Sequence, residues 1–160
     1  MFRFISIQVG EQSIYDLQFT TEAGSSENNE CYPSPYLGET VEVRGIVTAS
    51  RYFSSTRPDF FIQQSDDSIL GWSGVYVYNI NGNIYNAGAE IIIAAEVDEY
   101  YGSTQLKNIS FSETISVNNE IDPITIGTGN LGLYCGDGEI YEGMLVKFEN
   151  VTVESVNEYD

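Results

Sequence analysis

The chain is 160 residues long and 42% hydrophobic, enough apolar material for one domain with a real core and too much for a disordered segment. Six basic residues stand against 24 acidic ones, a formal net charge of −18, so nucleic-acid backbones and anionic membranes repel the chain except where its few cations gather. Histidine is absent, which removes Ser–His and Cys–His nucleophilic catalysis, imidazole metal sites and two-histidine zinc motifs together.

The opening Met1-Phe-Arg-Phe-Ile-Ser-Ile7 lacks the roughly 7–15-residue apolar core of a signal peptide. No stretch reaches the roughly 18 apolar residues of a membrane span. If the protein is exported, its signal lies outside this sequence, which then reads as a mature form or an excised domain. Helix signals are scarce, and short β-branched or aromatic runs bounded by Gly, Asn, Asp or Ser dominate. Ile14–Phe19 reads as a short strand, and residues 20–35 as a polar loop around Gly24. Val41–Ala49 alternates with period two and carries Gly45 where a bulge or bend would sit. Asp59–Gln64 and Gly74–Asn79 follow as strands, then Asn81-Gly82 as a turn. Glu90–Asp98 is the most apolar strand, and Leu106–Phe111 is the fifth. The expected fold class is all-β, a five-stranded, partly closed Greek-key barrel over residues 36–121. Residues 1–35 add an N-terminal strand and loop.

Residues 122–160 read as a linker and the first strand of a second, related half. Gly143-Met-Leu-Val-Lys-Phe-Glu-Asn-Val-Thr-Val153 aligns with Gly38-Glu-Thr-Val-Glu-Val-Arg-Gly-Ile-Val-Thr48, placing Gly143 on Gly38, Val146 on Val41, Phe148 on Val43 and Val151 on Ile46. Cys31 precedes its glycine by seven residues and Cys135 its own by eight. The matched cysteines favour a divergent internal duplication over a coincidence of alternation. Gly143–Val153 is expected to pair with a sheet, either within the chain, near Ile14–Phe19 or the barrel edge, or in a neighbouring subunit.

Cys31 and Cys135 lack the C-x-x-C spacing of zinc or redox motifs. They are either two buried thiols or one disulfide, the second fitting an acidic, Tyr-, Asn- and Gly-rich chain of extracellular type. Asn108-Ile-Ser110 and Asn150-Val-Thr152 match the glycosylation sequon. Asp66-Asp67 and Asp98-Glu99 are carboxylate pairs without calcium-loop spacing and read as solvated surface charge; Asp137-Gly138-Glu139 lacks further ligands in register. Neither a metal nor a cofactor is expected, and no catalytic residue is identified.

The cations are more informative. Arg44, Arg51 and Arg57 are half of the basic residues, and no acid occurs between Val43 and Pro58. That window also holds Tyr52 and Phe53. With Val75 and Val77 inward, Tyr76 and Tyr78 face outward, where rings can stack on bases or sugars. Arg51, Tyr52, Arg57, Tyr76 and Tyr78 are therefore the candidate ligand-binding residues, beside the alternative of an ordinary solvated loop and tyrosines that merely cover a sheet. The ligand expected is a polyanion or a glycan.

Ile14-Tyr-Asp-Leu-Gln-Phe-Thr-Thr21 and Ser34-Pro-Tyr-Leu-Gly-Glu-Thr-Val-Glu-Val-Arg-Gly-Ile-Val-Thr48 resemble the OB-fold-like domain that precedes the catalytic domain of secreted bacterial nucleases and occurs in other secreted bacterial proteins. Phe60-Phe-Ile-Gln63, Gly74-Val-Tyr-Val-Tyr78, the run from Gly88 through Glu99-Tyr-Tyr-Gly-Ser-Thr-Gln-Leu106, and Tyr141-Glu-Gly-Met-Leu-Val-Lys-Phe-Glu-Asn-Val-Thr-Val153 are similar to its later segments. The likeness implies an OB-like barrel, a secreted or cell-surface location, and a non-catalytic oligonucleotide- or glycan-binding module, since the family's phosphodiesterase domain is not in this sequence. The alternative is a structural or assembly subunit that uses edge-strand pairing through residues 143–153.

Overall fold

The computed structural model describes residues 10–24, 31–54, 57–65, 71–80, 82–132 and 136–152, without the side chains of 52–54. Five strands form the body: β2 (Thr40–Ser54), β3 (Arg57–Gln63), β4 (Gly74–Val77), β5 (Glu90–Tyr100) and β6 (Ser103–Ser116), preceded by the short β1 (Glu11–Gln12) and the helix α1 (Ile14–Gln18). β2 pairs antiparallel with β3 and, through its first half, with β5. β3 pairs antiparallel with β4, β5 with β6, and a short parallel contact of β4 with β6 closes the ring. This is an all-β OB-like barrel. All five expected barrel strands are present, four of them longer or starting earlier than their apolar runs suggest, because edge residues outside the core still complete backbone ladders.

Alternation sets the two faces. Val41, Val43, Phe60, Ile62, Val75, Val77, Ile91, Ile93, Ala95, Val97 and Leu106 point inward and are essentially fully buried. The register shifts of β2 against β3 fall between Val47 and Ala49 and between Tyr52 and Ser54 rather than at Gly45. Gly45 is required for another reason: a Cβ there would lie 3.0 Å from Ile14 Cδ1 and 3.2 Å from the Gln63 carbonyl oxygen.

The expectation of a strand at Ile14–Phe19 is overturned, since Ile14–Gln18 is helical. Ile14, Leu17 and Gln18 are buried, the i, i+3, i+4 face of a helix that plugs one end of the barrel. Ser13 caps it, its Oγ accepting from the Asp16 N–H at 3.0 Å. Gln64 Oε1 accepts the Ile14 N–H at 3.0 Å, and Gln18 Nε2 donates to the Gly74 carbonyl at 2.6 Å. These bonds satisfy helix and strand ends that a strand in this place would leave open.

The expected strand at Gly143–Val153 is corrected as well. Among the described residues of this segment, only Val146–Lys147 (β8) is a strand; it pairs in parallel with β7 (Ile124–Thr125), neither with the barrel nor with residues 14–19. The preceding arm docks on the barrel: Trp72 N–H donates to the Ile140 carbonyl at 2.7 Å, and Leu145 N–H to Gln63 Oε1 at 2.8 Å. Gly74 and Gly143 meet backbone to backbone, and a Cβ on Gly74 would come within 2.4 Å of the Gly143 carbonyl carbon.

This arm repeats the start of the chain in miniature. Glu39 N–H bonds the Tyr36 carbonyl and Met144 N–H the Tyr141 carbonyl. Both turns carry a glycine at positive φ in their third place, +81° at Gly38 and +65° at Gly143. β1 runs parallel to β2 with Glu11 opposite Glu42, and β7 runs parallel to β8 with Thr125 opposite Lys147. Each short strand precedes a helical turn, Ile14–Gln18 and Thr128–Asn130. The aligned positions thus share local geometry as well as residue type.

Among the described residues no cysteine is free, and Cys135 lies outside them. Asp66-Asp67 also lies outside the described residues, as does Asn81. No helix among those described is long and apolar enough to cross a membrane.

Candidate ligand-binding face

β3 and β4 set Arg57, Asp59, Phe61 and Tyr76 on the side opposite the core positions Pro58, Phe60, Ile62, Val75 and Val77, with Asp59 itself buried beneath its neighbours there. The registers continue this row across the barrel. Phe61 lies opposite Tyr76, Tyr76 beside Gln105, and Gln105 opposite Asp98. A groove of about 440 Å³ results, lined by Arg57, Tyr76, Tyr78, Asp98, Tyr100, Gln105 and Lys107.

Asp59 organises one side of the groove. Its side chain is fully buried; Oδ2 accepts the Tyr76 hydroxyl at 2.6 Å and lies 3.1 Å from Arg57 Nε, and Oδ1 accepts the Asn79 N–H at 2.9 Å. Burial and the hydrogen bond to Asp59 push the Tyr76 hydroxyl pKa well above its ordinary value, so it stays protonated. The Arg57 guanidinium sits 5.1 Å from the Tyr78 ring centroid, a cation–π contact.

Asp98 organises the other side. Oδ1 lies 2.9 Å from Lys107 Nζ, and Oδ2 accepts from Gln105 Nε2 at 2.8 Å. Burial opposes its ionisation, but the bonds from Lys107 and Gln105 win and hold its carboxyl below the ordinary range. The same pairing raises the Lys107 ammonium. Glu96 Oε1 is 3.6 Å from Lys107 Nζ.

At one rim the β5–β6 hairpin closes on Tyr101-Gly102, both at positive φ (+55° and +79°), as a two-residue turn of the type that fits strand twist. Tyr100 and Tyr101 are 62% and 78% exposed and pack edge to face at 4.7 Å. A bulky residue held at positive φ on an exposed tip is strained backbone of the kind found at binding loops.

Of the residues expected from sequence, Arg57, Tyr76 and Tyr78 share the groove. Arg51 is exposed on β2, opposite Asp59, and its charge reaches Tyr76. Tyr52 pairs with Pro58 in the ladder, and its side chain is outside those described. Asp98, Tyr100, Gln105 and Lys107 were not anticipated as site residues. Gln105 and Lys107 flank inward-facing Leu106 with period two, which is the signal that could have found them. The reading of Asp98-Glu99 as solvated charge is corrected: Asp98 lines the groove, and Glu99 Oε1 accepts the Ser34 N–H and the Thr104 hydroxyl at 2.9 and 2.6 Å. A larger cavity of about 590 Å³ lies across β1 and β2, but it is lined by Glu11, Gln12, Ser13, Arg44, Gly45, Ile46, Gln64, Ser65 and Glu90 and offers no aromatic platform.

No family profile matches the chain, and no curated protein does. Among solved structures, it is similar to a Leishmania major Friedlin chain described as an aspartyl-tRNA synthetase, at 11% identity and TM-score 0.45, over 70% of this chain and 22% of that one. It is similar to an OB domain from Methanosarcina mazei at 11% identity and TM-score 0.39, over 53% of this chain and 78% of that one. The second OB-fold domain of replication protein A from Methanococcus maripaludis gives 12% identity and TM-score 0.35, over 52% and 91%. What each of these does is a property of that protein; the fold described above rests on strand order and register.

Proposed function

We propose that this chain is a non-catalytic binding module that takes an extended oligomeric ligand, of oligonucleotide or glycan class, across the outer face of β3, β4 and β6. The observation that carries this reading is the groove itself: tyrosines and paired polar side chains meet on the barrel face and hairpin where OB-folds commonly bind oligomers. Its side chains are held in place before any ligand arrives, since Asp59 fixes Tyr76 and Arg57, and Asp98 fixes Gln105 and Lys107. A bridge from Cys31 to Cys135 and an extracellular or cell-surface location belong to the same proposal, as does the association with nucleases that the resemblance implies. The assembly alternative draws no support from β8, whose described pairing is with β7 of the same chain.

Backbone-amide NMR with any oligomer that binds tests the reading. Shifts should cluster on β4, β6 and the hairpin at 100–103. A cluster on residues 11–13, 44–46 and 64–65, around the larger cavity, would overturn it.

A further inference from the structure

The geometry points to a neutral oligosaccharide, rather than a nucleic acid, as the ligand of the groove between Tyr78, Tyr100 and Gln105. This inference rests on the binding-module reading and narrows it to one class of ligand. Charge is the first argument. The groove holds two cations, and each faces a carboxylate at ion-pair distance: Arg57 with Asp59 at 3.1 Å, Lys107 with Asp98 at 2.9 Å. The face is locally balanced on a chain of formal charge −18. Polynucleotide binding draws most of its free energy from cations that replace condensed counterions on phosphates. Cations already matched by carboxylates release few counterions, and the surrounding field repels the approach.

Hydrogen-bond chemistry is the second argument. Phosphate oxygens only accept, and a phosphate in this groove would lie against Asp98, which also only accepts. Sugar hydroxyls both donate and accept. They can give to Asp98 and receive from Gln105, Lys107 or Arg57, donors already held in place by Asp98 and Asp59. Shape is the third. Tyr100 stands 62% exposed at the rim and is braced by Tyr101, leaving ring surface for the C–H face of a pyranose. The volume of about 440 Å³ lies within the range of about 300–1,000 Å³ typical of small-molecule clefts.

The test titrates the intact chain with neutral hexasaccharides of β-1,4-glucan, β-1,3-glucan, β-1,4-xylan and α-1,4-glucan, and separately with an oligothymidylate of about twelve nucleotides. Each is measured by calorimetry at about 50 and about 200 mM salt. The inference expects at least one hexasaccharide to bind with an affinity that salt changes by less than about twofold, where phosphate contacts would change it by orders of magnitude. Tyr100→Ala and Asp98→Asn should each weaken that binding by about tenfold or more, with thermal melting checked to confirm that both variants fold. Oligothymidylate binding that is steeply salt-dependent and lost in Arg57→Ala, with no glycan bound, would overturn the neutral-glycan inference and leave the binding-module reading standing. Glycan binding indifferent to both variants would place the site elsewhere and overturn both. Failure of every probe would likewise count against both.

Discussion

Replacing Asp59 with alanine removes the polar centre of the ligand face, and the structure allows the cost to be worked out. Two donors lose their acceptor, the Tyr76 hydroxyl and the Asn79 N–H, and the Arg57 guanidinium loses its ion-pair partner. Hydrogen bonds to a charged group contribute about 1.5–3 kcal/mol each, but Tyr76 and Arg57 share Oδ2, so the three do not add. The Arg57 side chain is 32% exposed against 0% for Asp59, so water restores part of its loss. The Asn79 N–H is buried and has no such recourse. Breaking a buried pair typically costs about 3–5 kcal/mol, and the partial exposure of Arg57 puts this one at about 3–4 kcal/mol. At about 2–4 °C per kcal/mol for a domain of this size, the melting temperature should fall by about 10 °C. Urea unfolding with an unchanged slope is the assay. Asp59→Asn keeps an acceptor for Asn79 but loses the charge, and should cost about half as much. A loss below about 1 kcal/mol in Asp59→Ala would mean that the carboxylate does not organise this face.

Gly74→Ala should cost about 1–3 kcal/mol, because its Cβ would strike the Gly143 backbone and lift the C-terminal arm from β4; limited proteolysis should then cut near residues 139–147 sooner, and an unaltered pattern would refute the contact. Burial first, and then the nearby Glu142 carboxylate, raise the Glu139 pKa from 4.5 to about 8, and burial raises Glu142 too. The folded state therefore holds more protons than the unfolded one between about pH 4.5 and 8, so stability should fall as pH rises through that window. The difference in urea midpoint between the native chain and Glu139→Gln should grow across the same window, and a pH-independent difference would exclude this origin. Thiol titration of unreduced, denatured protein should find no free cysteine if Cys31 and Cys135 are joined, and two free thiols would end that proposal along with its support for an extracellular location.

Much of the barrel was legible because its strands are written in period-two alternation. Val41 and Val43, Phe60 and Ile62, Val75 and Val77, and Ile91 through Val97 each show which side faces inward, and the outward tyrosines follow by subtraction. The likeness of two turns was legible too, since Gly38 and Gly143 each sit in the third place of a turn at positive φ. Ile14–Phe19 was misread as a strand, although Ser13 and Asp16 supplied a capping signal, because six residues of mixed apolar and polar type satisfy either period.

The length of Gly143–Val153 as a strand was misread for a different reason. Alternation states what a segment could pair with, and whether an edge is within reach is a property of the fold. The sequence by itself determined the all-β class, the inward residues and three of the groove's members, Arg57, Tyr76 and Tyr78. Only the tertiary structure decided that Asp98, Tyr100, Gln105 and Lys107 join them, and that each cation there meets a carboxylate. Local pattern fixes which side of a strand a residue occupies, whereas strand order and register choose its neighbours, and a binding face is made of neighbours.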